Sequence, residues 1–186
     1  MKNPFLISEN IYLSPLTKDD ISVEYISWLN DSEVCKANTH ATIPNNHSKT
    51  LAYVESVEGS QTEIVFAIRW KENDIHIGNV SLQGINWINR TGEYAVLIGN
   101  KKYWNKGVGS ESLSLIIQYG LITLNLNRIW SGMFITNKGA MKICEKNEMK
   151  KEGVLREAVF KNGKYLDVVI YSILQKDFKK TNQKKD

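Results

Sequence analysis

The run Glu93-Tyr94-Ala95-Val96-Leu97-Ile98-Gly99-Asn100-Lys101-Lys102-Tyr103-Trp104-Asn105-Lys106-Gly107-Val108-Gly109-Ser110-Glu111 decides how this chain is read. It spells a strand, a glycine-bearing turn and the opening of a helix. Gly107 and Gly109 carry no β-carbon, so the backbone can fold close to a ligand and present consecutive N–H groups at a helix's first turn. Such a turn binds an anion, most naturally a phosphate. Beyond it, Leu113, Ile116, Ile117, Gly120, Leu121 and Leu124 keep the i, i+3, i+4 spacing of a buried face. The turn is therefore anchored to a core.

Spacing separates the phosphate-binding alternatives. A Walker-type loop needs Gly, four residues, then Gly-Lys-Ser/Thr, whereas Lys106 here precedes Gly107. A dinucleotide fingerprint needs a third glycine where Ser112 stands. A Gln/Arg-x-x-Gly-x-Gly/Ala turn, which cradles the pyrophosphate of coenzyme A, fits. Trp104-Asn105-Lys106-Gly107-Val108-Gly109 resembles its version in the GNAT superfamily of N-acetyltransferases, in the branch acting on ribosomal-protein N-termini, polyamines and amino sugars. Trp104 for Gln/Arg and Asn105 for Gly are departures, but backbone groups make the phosphate contacts.

The resemblance extends along nearly the whole chain. Trp28-Leu29-Asn30-Asp31-Ser32-Glu33-Val34 is similar to a Trp-Leu-Asn-Asp-Pro-Glu-Val motif of that branch. Asn137-x-x-Ala140-x-x-Ile143-Cys144-Glu145-Lys146 matches another motif, after which Asn147-Glu148-Met149 replaces the usual Leu-Gly-Phe. Glu152-Gly153-x-x-Arg156 closes the set.

The family implies an α+β fold, three-layered, with a mixed, mostly antiparallel seven-stranded sheet flanked by helices and splayed between its fourth and fifth strands. It also implies acetyl-CoA as co-substrate, an amine acceptor, and direct attack in a ternary complex. By the same resemblance the cofactor contacts fall on Leu97, Ile98, Gly99, Trp104, Asn105, Lys106, Gly107, Val108, Gly109, Ser110, Asn137, Ala140 and Lys146. Glu93 and Cys144 take the catalytic positions, with Trp28, His40 and Trp87 toward the acceptor.

Acetyl transfer from a thioester needs a neutral amine, support for an oxyanion and a proton for the departing thiolate. Free amines have pKa values near 8 to 10.4, so a general base helps. Glu93 can serve directly or through a water, or be a structural carboxylate. The Leu97 and Ile98 backbone N–H groups are the oxyanion donors that the family implies. Cys144 falls where many members have a proton-donating tyrosine; it either donates or simply packs. The acceptor is a nucleotide-linked amino sugar or a protein N-terminus, and a non-catalytic acyl-CoA-binding or sensor module is the alternative from another class.

Composition bounds the rest. The chain has 186 residues, 42% hydrophobic, enough for one domain, read as residues 1–178 with a lysine-rich disordered tail at 179–186. Of the net charge of +4, three units sit in the last eleven residues, with five lysines and two aspartates; the remainder has 19 basic and 18 acidic residues, or +1. That near-neutral body argues against nucleic acid as a partner. Two cysteines, no apolar run of membrane length and no signal-peptide pattern give the expectation of a cytoplasmic protein with no membrane contact. Three histidines without ligand spacing give no metal. Oligomeric state stays open, a homodimer among the alternatives.

In order, the pattern predicts a strand over 11–16, a helix capped at Thr17 and one capped at Ser48, strands over 63–70, 75–82 and 92–98, then the turn and its helix. A strand over 128–135, a helix over 138–146 and a hairpin of 154–160 with 165–174 around Asn162-Gly163 complete it.

Overall fold

Period-two alternation folds the first half of the chain into a meander. In the computed structural model, which describes residues 1–182, the strands are β1 (Leu6–Ile7), β2 (Ile11–Pro15), β3 (Ile64–Trp70), β4 (His76–Asn86) and β5 (Thr91–Ile98). β6 (Arg128–Phe134), β7 (Lys150–Lys161) and β8 (Lys164–Leu174) follow. They form one sheet in the order β1-β2-β3-β4-β5-β6-β8-β7, antiparallel except for the β5–β6 pair. The sheet has eight strands rather than seven because the two-residue β1 pairs with the outer edge of β2. Two residues are too few to show an alternation in the sequence.

Five helices flank the sheet: α1 (Val23–Asn30), α2 (His47–Glu58), α3 (Val108–Gln118), α4 (Lys138–Lys146) and α5 (Gln175–Asn182). Where one helix is expected from Thr17 onward, there are two elements. Thr17 and Asp20 close a capping box over a single 3-10 turn, and Ser22 then caps α1, its side chain accepting from the Tyr25 N–H. Asn46, rather than Ser48, caps α2. α3 ends in one π-type turn, Tyr119–Thr123. α5 occupies the start of the expected tail; residues 183–186 lie outside the described residues.

Each face of the sheet has its own core. On one, Leu13, Phe66, Ile68, Leu82 and Tyr94 pack with Leu113, Ile116 and Ile117 of α3 and Cys144 of α4. On the other, Val65, Ala67 and Leu97 pack with Tyr25, Trp28 and Leu29 of α1 and Val54 and Val57 of α2. β5 contributes to both cores. Tyr94 faces α3, while Leu97 faces α1, and the strand between them carries the site.

The strand-helix-strand unit pairs β5 with β6 in parallel for only three residues, Thr91 with Arg128, Gly92 with Ile129 and Glu93 with Trp130. Beyond Glu93 the strands part, so Tyr94–Ile98 and Ser131–Phe134 have no partner across that gap. This is the splay expected between the strands preceding and following the glycine turn.

Candidate active site

At the far end of β5 the chain turns through Lys101–Tyr103, a single 3-10 turn, into the glycine stretch. Gly107 caps α3 with φ 81° and Asn105 has φ 60°. Both are left-handed conformations, which glycine adopts freely and asparagine adopts more readily than most residues. The N–H groups of Ser110 and Glu111 turn back onto the Gly107 carbonyl at 2.9 and 3.0 Å. Those of Asn105 to Gly109 have no acceptor among the described residues. Five donors thus fan out at the positive end of a helix, the arrangement an anion requires.

Packing fixes this turn from several sides. A β-carbon on Gly109 would lie 2.9 Å from Ile143 Cδ1, so the start of α3 packs directly against the α4 side chain. Trp104 donates from Nε1 to the Ile98 carbonyl at 2.8 Å, and the Lys106 ammonium lies 5.1 Å from the Tyr103 ring centre. Glu111 stands beside the turn, its Oε1 3.9 Å from where a β-carbon on Gly107 would lie. Burial would push its carboxyl up, but donors from Ser8 and Asn10 outweigh that and hold it below its usual range. Those donors tie the carboxylate to the β1–β2 loop.

The splay provides the second part of the site. The Gly99 N–H donates to the Ile77 carbonyl at 3.0 Å, toward β4, and the Ile98 carbonyl faces the other way, accepting from Trp104. Backbone direction alternates along a strand, so Val96 and Ile98 present their N–H groups to the gap while Leu97 presents its own to β4. Of the two oxyanion donors expected, the Ile98 N–H faces the gap and the Leu97 N–H does not; the Val96 N–H, unmarked in the sequence, faces it as well. The side chain of Leu97 is 9% exposed in the α1 core.

Glu93 is half-buried at the closed end of the splay. Desolvation raises its carboxyl above the usual range, against a smaller lowering by the Gly132 backbone N–H just past the last β5–β6 pair. Trp130, opposite Glu93 in register, stands beside it. It was not singled out in the sequence, because only the parallel register reveals the neighbour.

Cys144 lies in the other core, 2% exposed, its thiol pushed up to about 11 by burial and by Glu145. Tyr94, in the same core, is raised too and donates to the Gly109 carbonyl at 3.4 Å. Asn137 caps α4, its Oδ1 accepting from the Ala140 N–H at 3.1 Å. Lys146 is exposed in the last turn of α4, next to Asn147, whose amide donates to Ser110 Oγ at 3.1 Å. The start of α3 and the end of α4 thus stand together.

Trp28 stacks across the end of β5. A β-carbon on Gly99 would fall 1.9 Å from the Trp28 indole, so only glycine fits beneath it. Trp28 is 8% exposed, a floor more than a rim. His40 is exposed on a loop tied to the tip of the β7–β8 hairpin, where Lys161 Nζ donates to the Cys35 and Asn38 carbonyls at 3.1 and 2.6 Å. Trp87 is not brought to the turn. It sits between β4 and β5, at the opposite end of β5, its Nε1 donating to the Gln61 carbonyl at 2.8 Å. Among the described residues no group of three metal-ligating side chains converges, and no helix is long and apolar enough to cross a membrane.

Comparison with known proteins agrees with this geometry. Residues 10–150 match the family model of the acetyltransferase (GNAT) domain. The "Uncharacterized N-acetyltransferase p20" of Bacillus licheniformis is 32% identical over 123 residues, 66% of this chain and 67% of that protein. The "Probable N-acetyltransferase YjcK" of Bacillus subtilis is 28% identical over 179 residues, 92% of this chain and 98% of that one. The crystal structure of the Vibrio cholerae spermidine N-acetyltransferase in complex with CoA and spermine superposes with a TM-score of 0.83 at 23% identity, covering 92% of this chain and 99% of that one. The unpartnered amides of the turn, the splayed strands and these matches lead to one conclusion: the chain belongs to the GNAT family and is an acetyl-CoA-dependent N-acetyltransferase.

Proposed function

We propose that the acceptor is a cationic primary amine that gives up its proton to Glu93 and attacks the thioester directly. The observation that carries this reading is the half-buried Glu93, its carboxyl raised by desolvation, placed where the β5–β6 gap begins. The ammonium first passes one proton to Glu93, directly or through a water. The neutral amine nitrogen then bonds to the acetyl carbon, giving a tetrahedral oxyanion that collapses as the C–S bond breaks, and the second N–H proton is released to solvent. The oxyanion is met by N–H groups on the open side of β5, at Val96 and Ile98. The pyrophosphate rests on the amides of residues 105–109, with Lys106 and Lys146 nearby, and the free amide group of Asn137 serves the pantetheine arm.

The leaving thiolate takes its proton from solvent. Cys144 is shut inside the core, so in this reading it packs and does not titrate during turnover. Support for a small cationic acceptor comes from the carboxylate and from Trp130 beside it, a pairing that favours an ammonium group. The Vibrio cholerae neighbour is described with spermine bound, which agrees with such an acceptor. An amino sugar or a protein N-terminus is less well matched by this acid-and-indole corner.

Single-turnover acetylation of an amine panel tests the reading. Glu93→Gln should lower kcat/KM by about a hundredfold, in the range of general-base catalysis, while acetyl-CoA binding is unchanged. A variant as active as the parent would remove Glu93 from the chemistry, and acetyl-CoA binding without transfer to any amine would return the chain to an acyl-CoA-binding or sensor role.

A further inference from the structure

A row of polar side chains leads from Glu93 toward the β3 edge of the sheet. Glu93 lies opposite Gln83 in the β4–β5 register. The β3–β4 register that pairs Ile64 with Leu82 brings Glu63 beside the same Gln83, and the Ile85 N–H donating to the Thr62 carbonyl at 2.8 Å continues that ladder past the end of β3. Directly opposed residues of antiparallel strands share a face. Glu63, Gln83 and Glu93 therefore stand side by side on the α1/α2 face, each half-buried. Two strand spacings separate the outer pair, about 10 Å.

Glu63 has room around it. On the side of β3 away from Gln83 it lines a cavity of about 310 Å³ together with Leu16, Val57 and Glu58, a volume at the small end of ligand pockets. Its Oε1 accepts from the Tyr53 hydroxyl at 3.2 Å, which fixes the carboxylate while leaving its second oxygen open. No lysine or arginine lines the cavity, and nearby Lys18 is already paired with Glu55 at 2.9 Å.

A diamine at neutral pH carries a charge at each end, and only the end that reacts must lose it. The other ammonium needs a counter-charge where the surface is half-buried. We propose that Glu63 supplies it: the far ammonium of an α,ω-diamine or polyamine sits at Glu63 while the near amine is deprotonated at Glu93. The assignment rests on the amine-acetyltransferase reading of Glu93, and it makes Glu63 a specificity-determining residue for the length and charge of the acceptor.

Hexamethylenediamine compared with hexylamine isolates the distal charge. The protein should prefer the diamine in kcat/KM by about tenfold or more, the scale of one charge-assisted hydrogen bond. Glu63→Gln should erase that preference through KM of the diamine and leave hexylamine within about twofold. Equal rates for the two amines in the parent protein, or equal losses for both in the variant, overturn the proposal. Calorimetry on the CoA-loaded protein distinguishes a failure of the catalytic reading. Diamine binding that weakens about tenfold in Glu63→Gln supports the subsite even where no acetyl group moves, and binding that is indifferent to the substitution overturns it.

Discussion

Glu148 holds φ at 62°, a left-handed conformation in which a β-carbon crowds the following carbonyl. The family motif that this stretch resembles has glycine at that place, and Met149, which follows, is 4% exposed in the core. Glu148→Gly should raise stability by about 0.5–1 kcal/mol in chemical denaturation. Ser112 offers a second site of the same kind. It is fully buried in α3 and its hydroxyl has no partner among the described residues, so Ser112→Ala should stabilise by about 1 kcal/mol. At Glu93 the pH profile is the readout. A base whose carboxyl is raised by burial is active only once deprotonated, so kcat/KM should climb with pH through a limb above the ordinary carboxylate range, and that limb should vanish in Glu93→Gln. Residues of this scale were legible where the chemistry is local, as at Gly107 and Asn137. Trp130 and Val96 were not, because their importance comes from strand register and backbone direction, which leave no mark in composition.

Between elements, α3 and its preceding turn show how conformation and binding are joined. Gly107→Ala places a β-carbon at φ 81° and should weaken acetyl-CoA binding by roughly tenfold in calorimetry, since the turn must distort to relieve it. A second junction links β6, β7 and β8. Arg128 pairs through both nitrogens with Glu152, and Ser172 Oγ donates to the same carboxylate at 2.6 Å. Those donors, Arg128 first, hold the Glu152 carboxyl down at about 2. A depressed carboxylate stabilises the fold above its unfolded pKa, about 4.5, and the contribution is lost as pH falls from there toward about 2. Glu152→Gln should therefore lower the melting temperature at pH 7 and converge with the parent protein in acid. The pair is partly exposed, so the shift should be a few degrees at most. Glu152 was visible in the sequence only as part of a motif. Its role as a clamp appeared once the final hairpin was seen beside β6. The order of strands and helices was readable throughout, because hydrophobic period separates them; β1, the capping at Asn46 and the π-type turn after α3 depend on tertiary contacts and were not.

For the molecule as a whole, two ties hold the loop after α1. Lys161 joins the β7–β8 hairpin to the loop after α1, and Lys101 joins that loop to the approach of the glycine turn through Asp31 and Glu33 at 2.8 and 2.6 Å. Lys161→Ala should speed amide exchange across residues 31–46 without changing acetyl-CoA affinity, because it removes a hairpin contact and leaves the turn intact. The three-residue pairing of β5 with β6 has a broader effect. So short a seam at the middle of an eight-stranded sheet divides it into two plates, one built on the meander and one on the final hairpin, which join where Glu93 meets Trp130. A coenzyme arm laid in the opening would act as a spline between the plates. The protein should then be mechanically stiffest just when both reactants are aboard, and each departure of free coenzyme would let the plates breathe before the next cycle.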